Sequence, residues 1–345
     1  MDPLTHTLVG ANLAATRLGG KTKLGAAALI IGANLPDVDS IFYFTGQQDF
    51  ALWFRRGWTH GVLALVLLPV IQAAVLKLID RSADLRWLLA LSYLAIATHP
   101  MLDWLNTYGM RWLMPFRGTW FYGDAVYIMD PWLWLILGCG WLIGRKPSPW
   151  LIGVWLFFTG AILWVVGRRN GQYMIVVAIV AAILLVALLW KSKRSFATVA
   201  LIVAAVYIGG RLTLSAATAM QVRASIPGIE RVMTSPHPID PTRWDVVAEV
   251  GDVYRYGRYT WLDRRLELNA HQIPVAKPSP EWSAAHDRWE VAGFLNWNRF
   301  PWYEVHRDAQ GVVIEIHDAR SAPRRRPGQP FSGVRVVLSR PLPRM

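Results

Sequence analysis

Six side chains in this 345-residue sequence could together do metal chemistry: His6, Asp37, Asp39, His60, His99 and Asp103. They come from four segments, "THTLVGAN", "GANLPDVDSI", "RRGWTHG" and "THPMLDWLN", each adding one or two groups able to bind a divalent cation. Three neutral imidazoles with three carboxylates match the ligand set of zinc or manganese. His99 and Asp103, at i and i+4, lie about one turn apart on one helix face, so both can reach the same ion. Pro100 then suits the first turn of a helix beginning at His99, where its missing N–H costs nothing. Asp37 and Asp39 alternate after Pro36, in an extended or turning break where one ion or two neighbouring ions could be clasped. Asn34, Thr59 and Asn106 stand beside these residues as supports, because ligating imidazoles and carboxylates need partners to hold their orientation.

Singly, each residue has an ordinary explanation. A lone histidine on a helix is commonly a packing residue, His-x-x-x-Asp arises often by chance, and an aspartate near a span end is commonly solvated, as we read Asp49, Asp80 and Asp84. The joint pattern is what argues for a site. Three of the eight histidines fall in the apolar part of the chain, and all three accompany the carboxylates at segment ends. The other five, His237, His271, His286, His306 and His317, share no spacing and read as surface or packing residues.

The elements that must position these groups belong to a membrane protein. Hydrophobic residues make up 54% of the chain and charged residues only 17%, against about 25% charged in a soluble domain. A helical span needs about 20 mostly apolar residues. Runs at roughly 24–44, 62–79, 87–105, 127–144, 150–166, 173–190 and 196–216 approach that length, and a shorter stretch at 4–18 precedes them. The expectation is a polytopic helical membrane domain of about seven to eight membrane helices over residues 1–219, followed by a small β-rich extramembrane domain over 220–345. In the latter, "WDVVAEV", "VYRYGRYTWL", "YEVHR" and "GVVIEIHDA" alternate as strands do.

The net charge of +13 could suggest nucleic acid, but the basic residues sit mainly in short clusters between apolar runs and in the tail. Membrane orientation explains such clusters, so no nucleic-acid partner is expected. Counting the first stretch as a membrane helix puts all the clusters except Arg168/Arg169 on one side, the cytoplasmic one by the positive-inside rule. His6, Asp37 to Asp39, Arg55 to His60, His99 to Asp130 and the C-terminal part then share the outer, periplasmic side. The lone Cys139 builds no disulfide framework or thiolate zinc cluster. "MDPLTHTLVG" lacks the basic start and uninterrupted apolar core of a cleavable signal, so it is read as retained.

The motifs resemble those of the YdjM/YbcI-type family of bacterial inner-membrane metal-dependent hydrolases. The likeness rests on "MDPLTHTLVGA", "LPDVDSI", "RGWTHG" and "HPMLDWLNTYG", and covers about the first 130 residues. It implies metal ligation by His6, Asp37, Asp39, His60, His99 and Asp103. The ligand types are also similar to those of the zinc phospholipase C and single-strand nuclease group, an analogy of ligands and not of fold.

The expected function is hydrolysis of an ester or phosphoester in a lipid or lipid-linked substrate at one membrane face, with one or two ions, zinc first and manganese second. Asp37 or Asp39 could serve as general base. Arg55, Arg56, Arg111 and Arg117 could hold an anionic phosphate, against the plainer reading of headgroup contact. The aromatic stretch at 110–134 reads as an interfacial belt, with Asp130 as a helix cap and Asp124 as a solvated loop residue. Two rival classes remain: a divalent-cation transporter or channel, and a scaffold stabilised by a structural metal. A transport path needs polar groups on both halves of the membrane, and the runs from Tyr127 to Ala216 are almost bare of them.

Overall fold

The computed structural model describes residues 1–46, 48–144, 149–167, 193–308, 311–321 and 333–339. The apolar run expected at 173–190, and the basic positions 145–146, 168–169 and 191–192, lie outside the described residues. The chain divides into two compact units, Met1–Val38 with Arg56–Ala216 and Ser235–Arg243, and Asp39–Arg55 with Ala217–Thr234 and Trp244–Met345.

The first unit is helical. Helix α1 (Pro3–Ala15) starts where Asp2, in extended backbone, accepts hydrogen bonds from the Leu4 and Thr5 N–H groups at 3.0 and 3.1 Å, and Pro3 needs no partner for an N–H it lacks. Helix α2 (Gly25–Gly32) packs closely on α1. A Cβ on Gly10 would lie 2.7 Å from the Leu29 carbonyl and 2.9 Å from the Ala33 Cβ, so only glycine permits this approach. Helices α4 (Val62–Ile79) and α5 (Leu85–Trp104) pack on each other, and α2 packs on both. Their shared core is built from Leu29, Ala73, Leu76, Leu88, Leu91 and Ala95, all buried. Gln72 fits this apolar interface because its Nε2 donates to the Ala28 carbonyl at 2.7 Å.

Helix α6 (Pro131–Gly144) packs on α1. Asp130 caps it as expected, accepting from the N–H groups of Trp132 and Leu133 at 2.9 and 3.1 Å. Helices α7 (Pro149–Gly167) and α8 (Lys193–Ser225) follow. The expected count of seven to eight membrane helices is not supported among the described residues. Among the described residues, three helices are long and apolar enough to cross a membrane, Val62–Ile79, Leu85–Trp104 and Phe196–Ser225, or four if a bent pair forms one span. That pair is α2 and the 3-10 segment Leu35–Thr45, which meet at 46°. A hydropathy average does not register such a break: the run at 24–44 stays apolar on balance despite Asn34, Asp37 and Asp39, but Asn34 and Pro36 end the α-helical bonding within it. Among the described residues, two other runs give shorter apolar stretches of helix, Pro131–Ile143 and Pro149–Ala161.

Pro100 also sits differently from expectation. It lies inside α5, which begins at Leu85, and so interrupts the i to i−4 bonding one turn before the helix ends.

The second unit carries the β-rich part. One sheet runs β1 (Ile229–Pro236), β2 (Arg243–Val250), β3 (Val253–Thr260), β4 (Arg265–Pro274) in that order, and a second runs β5 (Pro301–Asp308), β6 (Gly311–Asp318), β7 (Gly333–Ser339). Both are antiparallel. The four alternating sequence segments fall on β2, β3, β5 and β6. Tyr254, Tyr256, Phe300 and Trp302 fill one core cluster, and Tyr256 donates its hydroxyl hydrogen to the Ala319 carbonyl at 2.9 Å. Two short helices, α9 (Pro280–His286) and α10 (Trp289–Trp297), were not legible as such, and α3 (Gln48–Phe54) packs on α10 where Gly293 lies directly against the Asp49 carbonyl.

Candidate metal centre

Four of the six expected ligands converge. Asp37, His60, His99 and Asp103 each offer one ligand atom, and these atoms all lie within 4.8 Å of one another. His60 stands two residues before α4 begins, and His99 and Asp103 lie in the last turns of α5. Asp37 enters from the 3-10 segment after α2. Three separate elements thus deliver the group, and all of it is buried except Asp37, whose side chain is 14% exposed.

The spacings suit a cation. The Nε2 atoms of His60 and His99 face each other at 3.2 Å. Asp103 Oδ2 lies 3.2 Å from the first and 3.5 Å from the second, and Asp37 Oδ1 lies 3.7 Å from both. With zinc–nitrogen bonds of about 2.0 Å, neighbouring ligands of a tetrahedral ion stand about 3.3 Å apart.

Hydrogen bonding fixes the donor chemistry. His99 Nδ1 lies 2.7 Å from the Ala33 carbonyl, which can only accept, so the ring proton is on Nδ1 and Nε2 presents a lone pair. Asp103 Oδ2 is buried and accepts no hydrogen bond among the described residues, although two imidazole nitrogens stand close to it. A neutral His99, with its proton on Nδ1, has none to give from Nε2, which accounts for one of the two. Lone pairs aimed at one another in a buried pocket are costly unless a cation or proton lies between them. Thr59 Oγ1 sits 2.8 Å from His60 Nδ1, within hydrogen-bond reach of that ring.

The remaining expected residues take other places. His6 stands one layer back: its Nε2 is 3.3 Å from Asp103 Oδ1, and its ring stacks on His99 with centroids 3.7 Å apart. The Met1 amine also lies against Asp103 Oδ1. Asp39 is buried in the segment Leu35–Thr45 and belongs to the second unit. Asn34 ties α2 to α1, donating to the Ile30 carbonyl and accepting from Thr7 Oγ1 at 3.1 Å. Asn106 accepts at Oδ1 from Arg56 Nη1 and from the Tyr108 N–H, at 3.2 and 2.9 Å.

The four arginines separate sharply. Arg56 is buried with its guanidinium on Asp103 Oδ1 at 3.0 Å. Arg111 is buried over the Trp120 ring at 5.1 Å and leaves no room for a Cβ on Gly57. Arg117 is exposed in the turn after Leu113. Arg55 lies over the Tyr43 ring at 5.3 Å in the second unit. Sequence reasoning missed the Ala33 carbonyl, because backbone acceptors carry no residue signature.

With this geometry in place, comparison with known proteins adds the following. A family model described as "YdjM inner membrane protein" matches residues 1–173, which contain every residue of the cluster. The Bacillus subtilis (strain 168) protein described as "Uncharacterized protein YfhP" is 28% identical over 145 residues, covering 39% of this chain and 43% of that protein. The chain thus spans less than half of that relative's length. No solved structure matches.

Proposed function

The chain belongs to the YdjM inner membrane protein family, and from that premise we propose that it is a membrane-embedded metal-dependent hydrolase. Its substrate is an ester or phosphoester of a lipid or lipid-linked molecule, taken at one membrane face on the periplasmic side. One observation carries the reading: the ligand atoms of Asp37, His60, His99 and Asp103 meet at the ends of two candidate spans, Val62–Ile79 and Leu85–Trp104.

The donor set of two imidazoles and two carboxylates fits zinc first and manganese second. A bound ion supplies a water of lowered pKa and polarises the scissile group. The chain's own residues do the rest. His60 and His99 would hold the ion through nitrogens whose ring partners, Thr59 and the Ala33 carbonyl, keep the rings from turning. Asp37, the one partly exposed member, is the candidate to take a proton from the attacking water. Arg117, exposed beyond the Leu113 turn, is the arginine with a guanidinium open to an anionic headgroup.

The test is metal content of the detergent-solubilised protein, then turnover of a phospholipid panel by wild type and His99→Ala. Metal in wild type, with turnover lost in the variant, supports the proposal. A wild type without metal under non-chelating conditions sinks it, and metal without turnover on the panel transfers the site to a transporter or a structural role.

A further inference from the structure

Arg56 is the most constrained side chain near the cluster. It is a non-glycine residue at φ +52° and only 1% exposed. Left-handed backbone at a bulky residue persists only where the surroundings over-determine it. Here they do so through the guanidinium. Nη2 lies 3.0 Å from Asp103 Oδ1, while Nη1 donates to the Asp103 carbonyl at 3.4 Å, to Asn106 Oδ1 at 3.2 Å and to the Gly109 carbonyl at 3.2 Å. The Tyr108 ring covers the guanidinium face, 4.5 Å from Cζ. The Arg56 carbonyl in turn accepts from the Arg111 N–H at 2.9 Å.

This arrangement sorts the two oxygens of one carboxylate. Oδ1 faces Arg56 and His6 Nε2, at 3.0 and 3.3 Å, and the Met1 amine. Oδ2 faces the two imidazole nitrogens of the cluster. A carboxylate gripped on one oxygen can rotate no further, so the other oxygen keeps its aim. The same guanidinium takes carbonyls at and beyond the end of α5, where the helix leaves backbone acceptors without partners. It thereby locks the loop that carries His60 to the helix that carries His99.

We propose that Arg56 is a positioning residue that clamps Asp103, so that Oδ2 is presented to a metal ion while Oδ1 is held off it, with His6 as the second brace. The proposal rests on the metal-site reading and assigns Arg56 a role other than gripping substrate. A planar fork is required: three acceptors and a carboxylate oxygen surround one flat group, a pattern that a point-charge ammonium does not reproduce.

The experiment is Co²⁺ titration of the purified full chain in detergent, following both affinity and the visible ligand-field spectrum. Arg56→Lys keeps the charge and removes the fork. We expect Co²⁺ affinity lower by roughly 10- to 100-fold, the range for lost ligand support, together with a changed spectrum. Asn106→Leu, which removes one anchor of the guanidinium and leaves Arg56 and Asp103 intact, should shift the spectrum in the same direction with a smaller loss. It serves in place of Arg56→Lys should that variant not fold, as judged by near-ultraviolet circular dichroism. Arg86→Lys, at an exposed position near the start of α5, should match wild type. If wild type binds Co²⁺ and the folded variants match it in affinity and spectrum, the clamp is overturned while the metal site stands. If wild type binds no Co²⁺, the metal-site reading falls and the clamp with it.

Discussion

His60 and His99, thirty-nine positions apart in the chain, present their Nε2 atoms to each other at 3.2 Å in a buried pocket. Each ring is held from behind at Nδ1, by Thr59 and by the Ala33 carbonyl respectively. Two imidazoles so constrained, with Asp37 and Asp103 beside them, are placed to share a cation, and four expectations follow from that placement.

The two histidines should be jointly necessary for metal retention. His60→Ala and His99→Ala should each lower metal content, measured by inductively coupled plasma mass spectrometry, from about one ion per chain to near zero. Retention of a full equivalent by either variant would show that the ion sits elsewhere.

Thr59→Val should weaken metal binding by roughly 10-fold or more, since the ring then loses the hydroxyl that orients it. The fold should lose no more than about 1.5 kcal/mol, the net worth of one hydrogen bond. Thr59→Ser keeps the hydroxyl and should restore the affinity. Calorimetric titration of the three proteins decides the matter, and equal affinity in the valine variant counts against Thr59 as a support.

Metal affinity should rise with pH across the histidine range, because a protonated imidazole cannot donate to a metal and binding must release its proton. The sign is unambiguous: acid weakens binding. Titrations in buffers of different ionisation enthalpy should report net proton release, and net uptake would contradict imidazole ligation.

Gly10→Ala should act on the site from a distance. The added Cβ would meet the Leu29 carbonyl at 2.7 Å and the Ala33 Cβ at 2.9 Å, forcing α1 and α2 apart. Overpacking of this kind costs about 1–3 kcal/mol, and it displaces the residue whose carbonyl holds His99. A lower melting temperature together with lower metal affinity is expected. By contrast, Gly293→Ala, which crowds the Asp49 carbonyl in the second unit, should lower stability and leave metal affinity unchanged.

The residue types and their spacing pointed to a cluster able to hold a metal ion, and four of those residues come together in the structure. Imidazoles and carboxylates are scarce in apolar sequence because burying them is costly, so their gathering at segment ends was visible without coordinates, as was the change from helical runs to alternating strands after about residue 225. Spacing alone placed His99 and Asp103 on one helix face, and both lie in the last turns of α5. The number of spans was not legible in the same way: hydropathy sums composition, whereas a span also needs uninterrupted helix, and the bend after α2 breaks one run without changing its composition.

Only the tertiary structure could divide the six candidates by role. It set Asp37, His60, His99 and Asp103 around one point and put His6 behind Asp103. It drew Arg56 inward to a carboxylate and left Arg117 exposed, though the two are the same residue type in neighbouring polar loops. Residue type fixes what a side chain can bind. Which atom it faces depends on close helix approaches, backbone carbonyls and one left-handed residue, and these exist only once distant segments have packed.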